Sequence, residues 1–351
     1  MAETAKISTD HFGKTKTGLD VTRYSFTNKN GVTIKVIDFG SIISEIHVPD
    51  RNGQTADITL GFDSMDGYNV NRPYLGATLG RVAGFIANGQ FSVEGKTYST
   101  PINFLTHGMH GGVEGFQKKM WSTVIDGTRL RMAYVSEDGE EGFPGELRTE
   151  IVYQLTDDNE FIMEYTATTN KTTIVNLSNH AYFNLAGHDA GSLEDHLIQI
   201  DATSYLEIND EIMPTGKLIP VEGTPLDLRQ QASLTDKLKE VPNPFGFVHT
   251  YVFGKTGWTK KACRVEHTKS GRYLEVYTTE PGGLLYSSHL LGEHMEGVAG
   301  KAGVHYVQGG AFCLEAQHFS NTNNHDNFPT IELKPGEIYR QTTSFKFGVC
   351  D

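Results

Sequence analysis

Two stretches of the chain carry side chains able to move protons. In Thr173 to Leu185, TIVNLSNHAYFNL, apolar and polar residues alternate as in a half-buried strand, which delivers Asn179, His180, Tyr182 and Phe183 in quick succession. A histidine at a strand end among aromatics is placed either for proton transfer or as a satisfied structural residue, and this run alone leaves both readings open. In Ala311 to Gln317, AFCLEAQ, an apolar strand carries a single acid, Glu315, which is either an ion-pair partner or a tuned base. A third stretch, His107 to Gly112 (HGMHGG), sets two histidines beside a Gly-Gly pair, where backbone can approach a ligand closely.

Other chemistries lack their residues. Zinc needs three or four ligands, and the spacing of His107, His110, His318 and His325 matches no zinc signature, so no metal is expected. The glycines of Leu75 to Gly89 lack the Gly-Lys-Ser/Thr ending of a phosphate loop and sit in no βαβ unit, which argues against a nucleotide cofactor. No Gly-X-Ser-X-Gly elbow supplies a serine nucleophile. With 30 Lys and Arg against 43 Asp and Glu, the net charge of −13 argues against nucleic acid or an anionic membrane as partner.

The polar start MAETAKISTD lacks the apolar core of a signal peptide, and no later run approaches the length of a membrane span, so a cytoplasmic location is expected. Cys263, Cys313 and Cys350, odd in number and far apart, suit reduced thiols. The Asn-X-Ser/Thr patterns at Asn170 and Asn176 are accordingly not expected to be glycosylated.

The elements that must position these residues are strands. Val32 to Phe39 and Leu274 to Thr279 are rich in β-branched and aromatic residues, and Asn30-Gly31, Asn52-Gly53 and Asn88-Gly89 read as hairpin turns. Helical periodicity is confined to Leu226 to Leu238, with Ser233 as a cap. His318 to Pro329 reads as a long surface loop. Short strands without crossover helices predict an all-β, large antiparallel β-sandwich, and with no repeat, linker or compositional shift residues 1–351 read as a single domain.

Separated motifs then combine. LGATLGRVA, HGGVEGF with Trp121, DGEEGFPGEL, NLSNHAYFNL, PTGKLIPVEGTPLDLR, LEAQHFSNTNNHDNFP and LKPGEIYRQTTSFKF together resemble the aldose 1-epimerase (galactose mutarotase) family, in that family's order from about Gly31 to Phe347. The resemblance implies a β-supersandwich without cofactor, His180 as general acid and Glu315 as general base. His110, preceded here by Met109 instead of the family's Leu, would help hold the substrate, with Tyr182 and the retained Arg81 beside it. The chemistry suits these types: opening a cyclic hemiacetal takes a base for the anomeric hydroxyl and an acid for the ring oxygen, with the carboxylate kept ionised.

Departures from the family pattern cluster at sugar-binding positions. Gly84 and Phe85 stand where the family has Asn and Arg, Val248 where it has Asp, and Leu284 where it has Gln. Three classes of function follow: an isomerase acting on a hexose or on a less polar hemiacetal-like metabolite, a non-catalytic carbohydrate or metabolite binder, and a lyase or hydrolase on the same scaffold. Retention of both His180 and Glu315 favours the isomerase. The expected partner is a small-molecule substrate and the expected assembly a monomer or homodimer, with Lys118, Lys119, His249 and His289 as candidates to replace the lost polar contacts. His180 and Glu315 are expected to face each other across a substrate-sized gap.

Overall fold

Three antiparallel sheets dominate the computed structural model, which describes residues 5–242, 244–254, 259–295 and 298–350. The N-terminal sheet is a five-stranded meander in chain order, Lys6–Lys14, Asp20–Thr27, Thr33–Ile37, Ile42–Pro49 and Thr55–Asp57. Its turns include Asn30-Gly31 and Asn52-Gly53, where Gly31 (φ 81°) and Gly53 (φ 77°) take the left-handed backbone such turns require. The third Asn-Gly pair is not a hairpin turn. Asn88-Gly89 falls in a single 3-10 turn, Ala87–Gly89, that leads from Phe85–Ile86 into Gln90–Val93.

The nine-stranded sheet runs Ser122–Asp126, Arg129–Ser136, Leu147–Leu155, Glu160–Thr169, Tyr339–Val349, Arg272–Thr278, Lys260–His267, His196–Ile200 and Ala232–Ser233. Here the helix reading needs correction: helix covers only Leu234–Glu240, because Ala232 and Ser233 join the ladder opposite Ile198 and Leu197. Ser233 caps that helix as expected, its hydroxyl accepting from the Asp236 N–H at 3.2 Å.

The third sheet carries the site: Pro214–Pro220, Ser204–Ile208, Val248–Val252, Gly282–Tyr286 and Cys313–Gln317. Its register sets Val248 opposite Tyr286 and Leu284 opposite Glu315. Residues directly opposite share a face, so Val248, Leu284, Tyr286, Cys313 and Glu315 lie on one side and Tyr251, Leu285 and Leu314 on the other. The second face packs into the main core with Phe26 and Ile34 of the N-terminal sheet and Tyr153 and Phe345 of the nine-stranded sheet, which makes the molecule an all-β sandwich. The first face belongs to a separate apolar cluster with Phe85 and Tyr182.

Residues 172–185 pass between these layers, and the structure corrects their description as a half-buried strand. Every residue from Thr172 to Leu185 is buried, and only the pairs Thr173–Ile174 and Ser178–Asn179 join ladders. The backbone around them is satisfied instead by asparagine side chains. Asn176 Nδ2 donates to Ala83 O (3.0 Å) and His318 O (3.3 Å), while its Oδ1 accepts from the His318 N–H (2.9 Å). Asn179 reaches Gly76 O (2.9 Å), and Asn184 reaches Ser192 O (2.8 Å) and Gly310 O (2.9 Å). Fully buried, Asn176 is closed to glycosylation. The stretch expected as a surface loop is likewise half interior, with Phe319 to Thr322 buried and a 3-10 turn at Thr322–Asn324.

Removing the Asn176 amide strands three buried backbone groups. Asn176→Ala is expected to cost roughly 2–4 kcal/mol in urea unfolding; a loss below about 0.5 kcal/mol would show that the clamp is dispensable.

Candidate active site

The face of the third sheet that bears Glu315 floors a narrow cleft walled by Phe85, Val248, Leu284 and Tyr286. Glu315 has no exposed surface, and neither carboxylate oxygen makes a hydrogen bond among the described residues. Burial pushes its pKa up to about 8. At that value the carboxyl is protonated at neutral pH, unlike the ionised carboxylate expected from the sequence. Gln317, two residues further along the same face, also leaves both amide atoms unbonded. Such buried polar atoms call for partners on a ligand or on water.

His180 Nε2 lies 3.5 Å from Glu315 Oε1. The two are in contact, and the substrate-sized gap expected between them is absent. Contact suits the chemistry better, because the anomeric hydroxyl and the ring oxygen of a hemiacetal share one carbon and the groups that serve them must be neighbours. The imidazole is held from both sides: its backbone N–H donates to Ala77 O (2.9 Å), its carbonyl accepts from Gly76 (3.0 Å), and its ring stacks on Tyr182 at 4.8 Å. One residue before Gln317, Ala316 O accepts from Ser178 Oγ (3.0 Å), which joins the His180 segment to the Glu315 strand.

His110 completes the wall, its ring 5.4 Å from that of His180. Its Nδ1 accepts from the Gly84 N–H (3.2 Å), which leaves the ring proton on Nε2. Burial and the nearby His180 hold its pKa well below the ordinary histidine value, so it is a neutral hydrogen-bond donor. The glycines that follow serve packing: a Cβ on Gly111 would strike Gly80 O, and one on Gly112 would strike the Glu141 carboxylate. They bring backbone close to protein, where a close approach to ligand was expected. His110, His180 and Glu315 place donor atoms within 4.8 Å of one another, a cluster of metal-ligand types that sequence spacing did not disclose.

Gly84, Phe85, His110, His180, Tyr182, Val248, Leu284 and Glu315 all line the cleft. Arg81 does not. It is 2% exposed, and its guanidinium donates to Ser136 Oγ (2.8 Å) and to the carbonyls of Pro144 (3.0 Å), Ser136 (2.9 Å) and Glu137 (2.7 Å), a structural role that leaves nothing for substrate. The Tyr182 hydroxyl is also engaged, donating to Pro73 O at 2.9 Å, so that residue contributes a ring wall.

None of the proposed replacements for lost polar contacts reaches the cleft. Lys118 pairs with Glu114 (3.0 Å) and Lys119 with Glu140 (2.6 Å). His249 points to the opposite face of the sheet, against Tyr205 (5.8 Å), and His289 Nδ1 lies 2.9 Å from Ser287 Oγ. His107 meets Glu211 (3.2 Å), His318 meets Glu280 (2.5 Å) and His325 meets Pro214 O (3.1 Å), each away from the Glu315 cluster. Sequence reasoning missed Arg72, Pro73, Tyr74, Phe104, Ile212 and Leu290, which also line the cleft. They come from loops with no periodicity, and only the Pro73-Tyr74 turn residues next to LGATLGRVA hinted at a shaped rim.

Comparisons with known proteins agree with this geometry. The aldose 1-epimerase family model matches residues 22–346. Galactose mutarotase of Rattus norvegicus is 40% identical over 338 residues, 96% of this chain and 97% of that protein. Galactose mutarotase of Bos taurus is 41% identical over 316 residues, 90% and 91% of the two chains. A solved aldose epimerase homologue from C. elegans superposes with a TM-score of 0.86 at 30% identity, covering 93% of this chain and 98% of that one. With an acid and a carboxyl in contact on the floor of a cleft and this likeness along nearly its whole length, the chain belongs to the aldose 1-epimerase family and is an isomerase of the mutarotase type.

Proposed function

We propose that this enzyme interconverts the anomers of a cyclic hemiacetal less hydroxylated than a hexose, with Glu315 and His180 exchanging one proton between them. The observation that carries the reading is the contact of a fully buried carboxyl with His180 beneath a lining of Phe85, Val248 and Leu284. The same reading takes residues 1–351 as one cytosolic domain acting on a small molecule.

With its pKa near 8, Glu315 means that the pair still holds its shared proton at neutral pH. The working form has that proton on His180, leaving Glu315 as base. Glu315 takes the proton from the anomeric hydroxyl while His180 gives one to the ring oxygen; the bond from anomeric carbon to ring oxygen breaks and an aldehyde forms. The aldehyde turns over, His180 recovers its proton from the freed hydroxyl as the ring closes on the other face, and Glu315 returns its own to the new anomeric oxygen. Atoms and charge balance, and no nucleophile is needed. The neutral His110 Nε2–H donates toward the oxygen that gains charge.

Leu284 faces Glu315 directly across the ladder, so no amide from that position solvates the carboxyl. Each unpaired hydroxyl of a buried hexose forfeits roughly 1–3 kcal/mol, so Gly84, Phe85, Val248 and Leu284 together disfavour fully hydroxylated sugars. Gly84 is not freely reversible: its φ is +78° and an added Cβ would overlap Ser320 Oγ. Asn tolerates that backbone better than most residues, provided Ser320 is trimmed.

Glu315→Gln and His180→Asn are each expected to lower kcat for anomer exchange by ~10²–10⁴ without unfolding, and the double variant to be little worse than either single one. Activity within a few-fold of wild type for Glu315→Gln would assign the base elsewhere. Because the one-proton pair is lost as pH rises, kcat/KM should fall above about pH 8; a profile still climbing at higher pH, after subtraction of the spontaneous reaction, would contradict this. A carboxyl whose folded pKa lies above its unfolded one stabilises the fold below 4.5 and loses that contribution as pH climbs to about 8. Glu315→Gln should thus match wild type in thermal stability near acid pH and exceed it in alkali by on the order of a few kcal/mol. Finally, kcat/KM on galactose should be low and be raised at least about tenfold, one restored contact, by Gly84→Asn, Phe85→Arg, Val248→Asp and Ser320→Gly combined. A wild-type value as high as that of the rat mutarotase under the same conditions would show the substitutions to be silent.

A further inference from the structure

At the mouth of the cleft one cation stands without a partner. Arg72 is exposed, lines the cleft and the groove adjoining it, and among the described residues makes no hydrogen bond or ion pair. Three carboxylates on segments that border the cleft or the groove have other partners: Glu211 lies against His107 (3.2 Å), Glu141 accepts from the Val113 N–H (2.7 Å), and Glu114 holds Lys118 (3.0 Å). Among the described residues that line the cleft, Arg72 is the one charged side chain apart from Glu315 and the two histidines on the floor. The hydroxyls of Tyr74, Tyr182 and Tyr286 meet Asn103 (3.4 Å), Pro73 O (2.9 Å) and the Leu290 N–H (2.8 Å).

The backbone that presents Arg72 is built with care. Asn71 Oδ1 accepts from the Leu75 N–H (2.8 Å) and its Nδ2 donates to Leu75 O (3.3 Å), closing the loop around residues 72–74. Arg72 and Pro73 form a turn closed by the Tyr74 N–H donating to Asn71 O (3.1 Å), and the Pro73 carbonyl is tied to Tyr182, the residue stacked on His180. The backbone that carries Arg72 is thus tied to the His180 segment.

We infer that Arg72 selects a substrate bearing a carboxylate at the end remote from its anomeric carbon, so that the preferred ligand is an acidic lactol with an apolar flank. This rests on the mutarotase reading of the cleft. One planar guanidinium matches one carboxylate in charge and in its pair of oxygens. A phosphate dianion would keep an uncompensated charge, because among the described residues no second Lys or Arg lines the cleft. The net charge of −13 does not oppose this at the site, since charges beyond roughly 8 Å are screened at physiological salt.

The test compares D-galacturonate with 6-deoxy-D-galactose, which differ only in a carboxylate against a methyl at one carbon, by NMR anomer exchange and, in parallel, by ligand-observed NMR titration. Wild type should prefer the acid at least about tenfold, the value of one charge-assisted contact. Arg72→Gln should abolish that preference, Arg72→Lys should retain part of it, and raising salt from about 0.01 M to about 1 M should erode it. No preference in wild type, or a preference unchanged within twofold in Arg72→Gln, overturns the inference. The mutarotase reading is tested apart from this: anomer exchange that Glu315→Gln leaves unchanged would overturn it, while the titration still decides whether Arg72 selects the carboxylate.

Discussion

The interior of this protein depends on satisfying the backbone of one buried segment. A chain that runs between two apolar layers without joining a long ladder leaves its own polar groups, and those of the segments it crosses, without partners, each at a cost comparable to a lost hydrogen bond. Asn176, Asn179 and Asn184 meet that demand by bonding the carbonyls of Ala83, Gly76 and Gly310. In doing so they fix where the segment's neighbours lie. Asn176 ties the Ala83–Gly84 turn to His318, Ser178 ties in the Glu315 strand through Ala316, and His180 is left between them facing the floor of the cleft.

The same burial sets the chemistry. Glu315 could be stabilised as an anion by any donor within reach, yet the residue opposite it is Leu284 and its side-chain oxygens accept no hydrogen bond among the described residues. The carboxyl is thereby a stronger base than an exposed one, and its proton is exchanged most readily with His180, 3.5 Å away. An apolar lining thus strengthens the proton-transfer pair while weakening the recognition of hydroxyls. Both effects follow from the apolar side chains of Phe85, Val248 and Leu284 in the lining.

Much of this was legible in the residues. The β class followed from strand-like runs and Asn-Gly turns, and His180, Glu315 and His110 followed from motif residues that the sheet register brings to one cleft. What escaped the sequence is long-range. Arg81 reads as a polar residue beside the site, and only the fold reveals that Ser136, Glu137 and Pro144 consume its donors. The Thr173 to Leu185 run alternates like a half-buried strand, but burial on both sides comes from layers far apart in sequence. Ala232 and Ser233 have helical neighbours and were taken by a strand partner at Leu197 and Ile198. Arg72 sits in a loop whose shape depends on the Asn71 latch and on Tyr182, neither of which shows in a periodicity.

The central claim is that the floor of the cleft holds one proton at neutral pH, carried on a buried carboxyl in contact with His180. Difference infrared spectroscopy of the wild type against Glu315→Gln, titrated across the pH range, reads that carboxyl directly. A protonated carboxyl band at pH 7 that converts to carboxylate with a midpoint near 8 is the expected result. A carboxylate band already complete at pH 7, with a midpoint close to the ordinary glutamate value, would contradict the account.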